Sequence, residues 1–335
     1  MPALSQSPHH FDLGSARDVP ESHLWCDSAD DHPVAGPADD AVPVVDVTAG
    51  DAAEVVGRAC EEWGVFQATG HGLPAHLLDR VEAQIRRLFA LPAHDKLRAA
   101  RSLDNVSGYG LVPISSFFSK LMWSEGFTIA GSPLDHARKL WPHDHRSFCD
   151  VIEEYNKVMR DLAGRLLQLM LLSLGLAEED VNWAGPTGSS NRVSGLQVLR
   201  PTGRAGPAHW VTVRPIPGAF VVNVGDLLHI LSNGRFKSVV HRAVVNRTAH
   251  RVSAGFFCGP PHNIKVAPLE KLMEPTKGPA YRAVTWHEYL GLRRKLFDKA
   301  LQSIKISEEK WEDHSNNSNN TNTNSSKASS VITCV

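Results

Sequence analysis

Two residues in the C-terminal half of the chain have types and spacing that suit carboxylate binding. Arg251 and Ser253 are separated by one residue, and side chains two residues apart on a β-strand point to the same face. A guanidinium group offers a rigid, two-pronged donor that matches a carboxylate, and a nearby hydroxyl adds a third hydrogen bond. The pair is a candidate site for a small carboxylic acid. The alternative is a surface arginine beside a turn.

His241 is a candidate metal ligand. It precedes Arg251 by ten positions and alternates with Val239, Ala243 and Val245, so a strand here would direct the imidazole into an apolar interior. A buried imidazole needs a hydrogen bond or a metal ion. The competing interpretation is a hydrogen-bonded core histidine, which is the commoner role of a single histidine.

The elements that would position these residues change in character along the chain. Helical periodicity is clear in 52–63, 77–89 and 148–174. Further on, tight turns separate short β-rich runs, at 196–199, 210–213, 219–224, 238–245 and 252–257. Helices followed by closely spaced strands predict an α+β chain whose C-terminal half is a double-sheet jelly roll.

Composition divides the chain into five regions. The first is rich in Pro and Asp and the last in Ser, Asn and Thr, and such segments lack the apolar residues that fold a core. We predict a loosely ordered leader (1–41), a mostly helical region (42–176), a jelly-roll region (190–268), a C-terminal helical segment (269–305) and a disordered tail (306–335).

Charge and cysteine content limit the function classes. The 35 Lys and Arg residues nearly balance the 36 Asp and Glu residues, so no strong field favours nucleic acid or an anionic membrane, and the expected partner is a small molecule. The most apolar stretch, 166–176, is too short to span a bilayer. Five scattered cysteines suit a reducing compartment, which predicts a cytoplasmic protein. The sequence indicates no particular oligomeric state.

Several sequence blocks have a recognisable pattern: 218–226 and 232–236 around His241, and 42–47, 62–66 and 70–72 near the N-terminus. Together they resemble the plant branch of the 2-oxoglutarate/iron(II)-dependent dioxygenases. Within the family, the stretches 108–110 and 114–127 are similar to the gibberellin 3-oxidases, and 19–25 and 278–286 also fit that group. The resemblance covers roughly 19–300 apart from one gap.

The resemblance implies a fold, cofactors and roles for the candidate residues. The expected fold is a helical N-terminal domain packed on a double-stranded β-helix, or jelly-roll, core. His241 would be an iron ligand, and Arg251 and Ser253 would bind 2-oxoglutarate. Fe(II) and 2-oxoglutarate are the expected cofactors, with ascorbate as a possible addition.

The expected reaction of this group is hydroxylation of a precursor gibberellin at carbon 3. Another gibberellin carbon or a flavonoid is the alternative target. Phe117, Phe118 and Trp123 are candidates to line a pocket for such a polycyclic substrate, although aromatic residues at such positions are more often part of the core.

The gap removes residues that the family needs to hold iron. Family members use a 2-His-1-carboxylate triad, and two of its ligands come from a His-x-Asp pair just before the block that here begins at Gly195. No His-x-Asp stands in 184–194, and the only one in the chain lies at 10–12, far from that place. We therefore predict negligible iron-dependent turnover.

The gap also predicts an incomplete jelly roll. Missing interior strands would leave unpaired strand edges and exposed apolar faces, which predicts poor solubility. Two hypotheses remain open: a gibberellin 3-oxidase-like enzyme, and a catalytically inactive variant that binds at most a small carboxylate or a protein partner.

Overall fold

A computed structural model describes residues 20–23, 41–102, 106–110, 117–118, 120–177, 187–191, 195–200, 208–245, 249–261, 263–273, 278–306 and 329–334. In 187–191 and 329–334 only the backbone is described. Most of the predicted leader and the tail residues 307–328 lie outside these ranges, as does the His-x-Asp at 10–12.

The helices of the described chain lie mainly in its first half. They are α1 (Ala52–Glu62), α2 (Ala75–Phe89), α3 (Ala93–Lys96), α4 (Leu134–Leu140), α5 (His145–Ser173), α6 (Asp226–Leu231), α7 (Trp286–Leu296) and α8 (Ala300–Ser303). Single 3-10 turns occupy Glu21–His23, Leu97–Ala99, Glu270–Leu272 and Phe297–Lys299.

The strands are short and lie mainly in the second half. They are β1 (Val44–Asp46), β2 (Val65–Thr69), β3 (Gly108–Tyr109), β4 (Phe127–Ala130), β5 (Thr187–Asn191), β6 (Leu196–Arg200), β7 (His209–Thr212), β8 (Phe220–Asn223), β9 (His241–Ala243), β10 (Ser253–Gly259), β11 (Lys265–Val266), β12 (Val284–Thr285) and β13 (Ser329–Cys334). The chain is therefore α+β, as predicted.

The long helix α5 forms the centre of the helical layer. It packs against α1, α2 and α4 and buries its apolar stripe in the main core. Gly57 of α1 permits close contact, because a Cβ there would lie 2.6 Å from the Cβ of Ser173. The predicted periodicity of α2 is confirmed, since Leu77, Val81 and Ile85 are buried.

Within the described residues, eight strands form the main sheet, in the order β1-β2-β8-β5-β10-β13-β4-β3. Strands β1 and β2 run parallel, and the other neighbours are antiparallel. The tail was expected to be disordered to residue 335, whereas the structure places β13 between β10 and β4. Val331, Ile332 and Thr333 favour strand formation, and both neighbouring strands gain a partner for their backbone groups.

A second, smaller sheet faces part of the first. It contains three strands in the order β7-β6-β9, and β11 and β12 form a separate pair. Leu196, Val198 and Val211 of the small sheet share a buried cluster with Val65 and Val221 of the main sheet. The two sheets thus enclose an apolar layer, as in a jelly roll, with β9 at the edge of the smaller sheet.

Two short segments differ from the prediction. Residues 226–231 lie between two predicted β-rich runs and form the helix α6, which was not predicted and in which Leu228, Ile230 and Leu231 are buried. The strand β5 was not predicted, because Gly, Ser and Asn favour turns over strands; its pairing with β8 and β10 fixes it. In the part of the chain that the structure describes, no helix is both long and apolar enough for a bilayer.

Candidate functional site

The structure brings Arg251 and Ser253 together at the start of β10. Nη1 of Arg251 donates a hydrogen bond to Oγ of Ser253 at 3.2 Å, which agrees with the predicted two-residue alternation. Both side chains are partly exposed, so a ligand from solvent has access to them. The hydroxyl and the guanidinium group can contact the same carboxylate.

The Arg251 guanidinium group is poorly solvated. Its Nε is buried and has no hydrogen-bond partner among the described residues. Burial lowers the pKa of Arg251 because removal from water disfavours the charged form. A carboxylate at this position would accept from the guanidinium group, whose Nε is unsatisfied, and compensate the positive charge. The residues present therefore fit the carboxylate of 2-oxoglutarate.

His241 does not occupy the buried position that its sequence pattern predicts. It lies in β9 opposite Val198, which is buried, but His241 itself is exposed. The predicted alternation places His241 on the same face of the sheet as Val198. However, β9 is an edge strand, and the opposing sheet does not cover the imidazole. Nδ1 lies 3.3 Å from the carbonyl oxygen of Val239. Its assignment as an iron ligand stays a prediction.

The residues that the structure describes do not fit an iron centre. Within the described ranges, no group of three His, Cys, Asp or Glu side chains is placed to hold a metal ion. The segment 184–194, where the sequence comparison with the family expects two ligands, contains no histidine. A 2-His-1-carboxylate triad cannot be assembled from His241 alone.

Sequence reasoning missed a polar cluster that joins α6 to the C-terminal segment. The side chain of Asp226 accepts from Tyr289 Oη and from Ser238 Oγ, each at 2.6 Å. Nearby, His229 Nε2 lies 2.8 Å from Tyr281 Oη. Burial, followed by the negative charge of Asp226, raises the pKa of Tyr281 and of Tyr289, because both disfavour a phenolate.

This polar cluster has a structural role. Burial lowers the pKa of His229, and its other ring nitrogen, Nδ1, lies 2.5 Å from the carbonyl oxygen of Phe236. Both ring nitrogens are therefore engaged within the protein. The residues are widely separated in the sequence, and no spacing signal predicts their contact.

Two of the three aromatic candidates contact the C-terminal segment. Phe117 stacks on Phe297 with centroids 5.2 Å apart, and Phe118 meets the same ring edge-on at 5.4 Å. Trp123 lies edge-on to His23. Phe117 remains 37% exposed, so this cluster is neither a closed core nor an enclosed pocket.

A small apolar cavity lies between α5 and the main sheet. Its volume is about 10 Å³, which is room for about one water-sized sphere. Its walls include Met159, Leu162, Phe220 and Phe256. This cavity is too small for a polycyclic substrate.

Two family models match the chain. Residues 42–145 match the N-terminal region of non-haem dioxygenases, described as non-haem dioxygenase in morphine synthesis N-terminal. Residues 188–260 match the 2OG-Fe(II) oxygenase superfamily. The second match includes His241, Arg251 and Ser253.

Curated relatives match almost the whole chain. Gibberellin 3-beta-dioxygenase 2-3 from Triticum aestivum is 46% identical, covering 94% of this chain and 96% of its own. Gibberellin 3-beta-dioxygenase 1 from Pisum sativum is 43% identical over 359 residues, covering 91% of this chain and 94% of its own. That alignment is longer than the 335-residue chain, so the pea protein has residues with no counterpart here.

Solved structures of similar proteins share the fold. The chain is 27% identical to a dioxygenase for auxin oxidation from rice, with a TM-score of 0.63, covering 79% of this chain and 100% of the other. It is 26% identical to JOX2, whose structure holds 2OG, Fe and JA, with a TM-score of 0.71, covering 88% of this chain and 95% of the other. The jelly-roll expectation is confirmed by these neighbours.

Proposed function

We propose that this chain hydroxylates precursor gibberellins at carbon 3. It belongs to the plant 2-oxoglutarate/iron(II)-dependent dioxygenase family. The observation that carries this proposal is the 40–47% identity to gibberellin 3-beta-dioxygenases across most of the chain. The family consists of oxidoreductases whose cofactors are Fe(II) and 2-oxoglutarate. The substrate and the position that is oxidised are taken from these relatives.

The overall reaction divides one O2 molecule between two products. One oxygen atom enters the substrate as a hydroxyl group, and the other converts 2-oxoglutarate to succinate with loss of CO2. In this chain, Arg251 and Ser253 would bind the carboxylate of 2-oxoglutarate and orient it. A cytoplasmic location for this reaction rests on the five scattered cysteines, which suit a reducing compartment.

The second candidate is a catalytically inactive relative that retains the carboxylate site. The observation that favours it is the absence of an iron-binding cluster from the described residues, together with the lack of a His-x-Asp in 184–194, directly before Gly195. Such a protein would bind 2-oxoglutarate without consuming it.

One experiment separates the two candidates. The protein is purified without oxygen, loaded with Fe(II) and 2-oxoglutarate, and assayed for succinate with and without a precursor gibberellin, with product identification by mass spectrometry. Succinate coupled to a 3-hydroxylated product would establish the enzyme. A product oxidised at another carbon would correct the position, and the same assay with a flavonoid tests the alternative substrate. No succinate under any condition, with 2-oxoglutarate still bound, would establish the inactive relative.

A further inference from the structure

The side chain of Arg251 passes over the backbone of a buried glycine. Gly195 directly precedes β6, and its carbonyl oxygen accepts a hydrogen bond from the Val244 amide at 2.7 Å. A Cβ built on Gly195 would lie 2.8 Å from Cδ of Arg251 and 3.2 Å from its Nε. The space that a side chain would fill at Gly195 is therefore occupied by the arginine stem.

A methyl group at this position would have little freedom to move away. The same Cβ would lie 3.0 Å from the carbonyl oxygen of Val244, which belongs to a backbone that is already hydrogen-bonded to Gly195. Close-packed interiors respond to added volume by displacing the more mobile group. That group is the Arg251 side chain, because a long side chain can change rotamer, whereas the Val244 backbone is held by its hydrogen bond to Gly195.

We infer that Gly195 is a positioning residue that sets where the Arg251 guanidinium group lies and thereby the affinity for the carboxylate of 2-oxoglutarate. Gly195 acts through Arg251 and does not itself touch the ligand. The packing of the arginine stem on Gly195 and the 3.2 Å hydrogen bond to Ser253 together fix the two-pronged donor. This inference rests on the proposed role of Arg251 in binding 2-oxoglutarate.

The test is a Gly195→Ala variant of the full chain, with 2-oxoglutarate binding measured by titration calorimetry. We expect the Kd to rise about tenfold, because a displaced guanidinium loses the geometry of a bidentate bond. Gly225→Ala is the matched control: Gly225 has an ordinary φ of −88° and no atom within 4 Å of an added Cβ, so its affinity should equal that of the wild type.

A folded Gly195→Ala variant with wild-type affinity would overturn the inference and leave the proposed binding of 2-oxoglutarate intact. A wild-type chain that binds no 2-oxoglutarate would overturn both. If Gly195→Ala does not fold, the double variant Gly195→Ala/Arg251→Ala supplies the test. Removing the stem makes room for the methyl group, so folding should return, and failure to return would also overturn the inference.

Discussion

His241 lies directly opposite Val198 across the β6–β9 pairing, yet Val198 is buried and His241 is exposed to solvent. The two side chains share the face that packs toward the main sheet, but β9 is at the edge of its sheet. An exposed imidazole without neighbouring ligands loses its metal readily to water. The location of His241 therefore bears directly on iron binding.

We expect the purified chain to retain far less than one equivalent of iron. Loss of a residue that only supports a ligand weakens metal sites by about 10- to 100-fold, and here two ligands themselves are missing from the expected segment. The measurement is metal analysis after anaerobic loading with Fe(II) and gel filtration. His241→Ala should leave the small iron content unchanged. His94→Ala is the control, because His94 is also exposed. Equimolar iron in the wild type and in His94→Ala, with none in His241→Ala, would contradict the prediction.

Variants of the Arg251–Ser253 pair should lose 2-oxoglutarate affinity to different degrees. Arg251→Gln removes a charged donor, whose hydrogen bonds are worth about 1.5–3 kcal/mol, and should weaken binding roughly 10- to 100-fold. Ser253→Ala removes a neutral hydroxyl and should weaken binding by about fivefold. Titration calorimetry measures both.

Arg235→Gln is the control for charge. Arg235 is a surface residue paired with Glu61, and its loss changes net charge by the same amount as Arg251→Gln. Equal effects of the two arginine variants would mean that general charge, and not the Arg251 site, attracts the ligand.

The sequence predicted those features that depend on local pattern. The buried face of α2 follows from the spacing of Leu77, Val81 and Ile85, and the contact of Arg251 with Ser253 follows from strand alternation. The exposure of His241 could not be predicted, because it depends on whether another layer covers β9. The pairing of β5 and β13 with β10 likewise depends on distant partners, which local propensity does not encode.

The strand β13 predicts that the C-terminal segment stabilises the protein. Ile332 pairs with Phe256 on one side and Ile129 on the other. A proline there removes a backbone donor and leaves a ladder acceptor unsatisfied, which should lower the free energy of unfolding by about 1–3 kcal/mol, whereas Ile332→Thr keeps the strand. Urea denaturation measures the difference. Equal stability of the two variants would mean that β13 does not pair in solution.

The same proline variant tests whether unpaired edges of β10 and β4 drive association. Strands β10 and β4 would each lose a partner, and unpaired edges promote association between chains. We expect more aggregate on size-exclusion chromatography for Ile332→Pro than for Ile332→Thr. A monomeric Ile332→Pro variant would show that these edges do not drive association.

The Asp226 cluster predicts a specific stability loss at the C-terminal segment. Tyr289 is buried and donates to the Asp226 carboxylate at 2.6 Å. Tyr289→Phe should lower the free energy of unfolding by about 1.5–3 kcal/mol, because a hydrogen bond to a charged group is lost. Tyr281→Phe, which removes the hydroxyl contact with His229, should cost about 1 kcal/mol. A Tyr289→Phe variant as stable as the wild type would contradict the structural role.

Cys258 predicts an unreactive thiol and a stability that falls at alkaline pH. Burial raises the pKa of Cys258 to about 12, compared with about 8.5 for a free cysteine. Only the thiolate reacts, so alkylation at pH 8 should be about 1,000-fold slower in the native chain than in urea, as followed by peptide mass spectrometry. Equal alkylation rates in native and denatured chains would contradict a protected thiol at this half-buried position.

The same shift makes stability depend on pH. Because the folded-state pKa of Cys258 is the higher one, the contribution of its protonated thiol to stability is complete below pH 8.5 and is lost as the pH rises toward 12. Cys258→Ala should therefore lose stability less steeply over that pH interval.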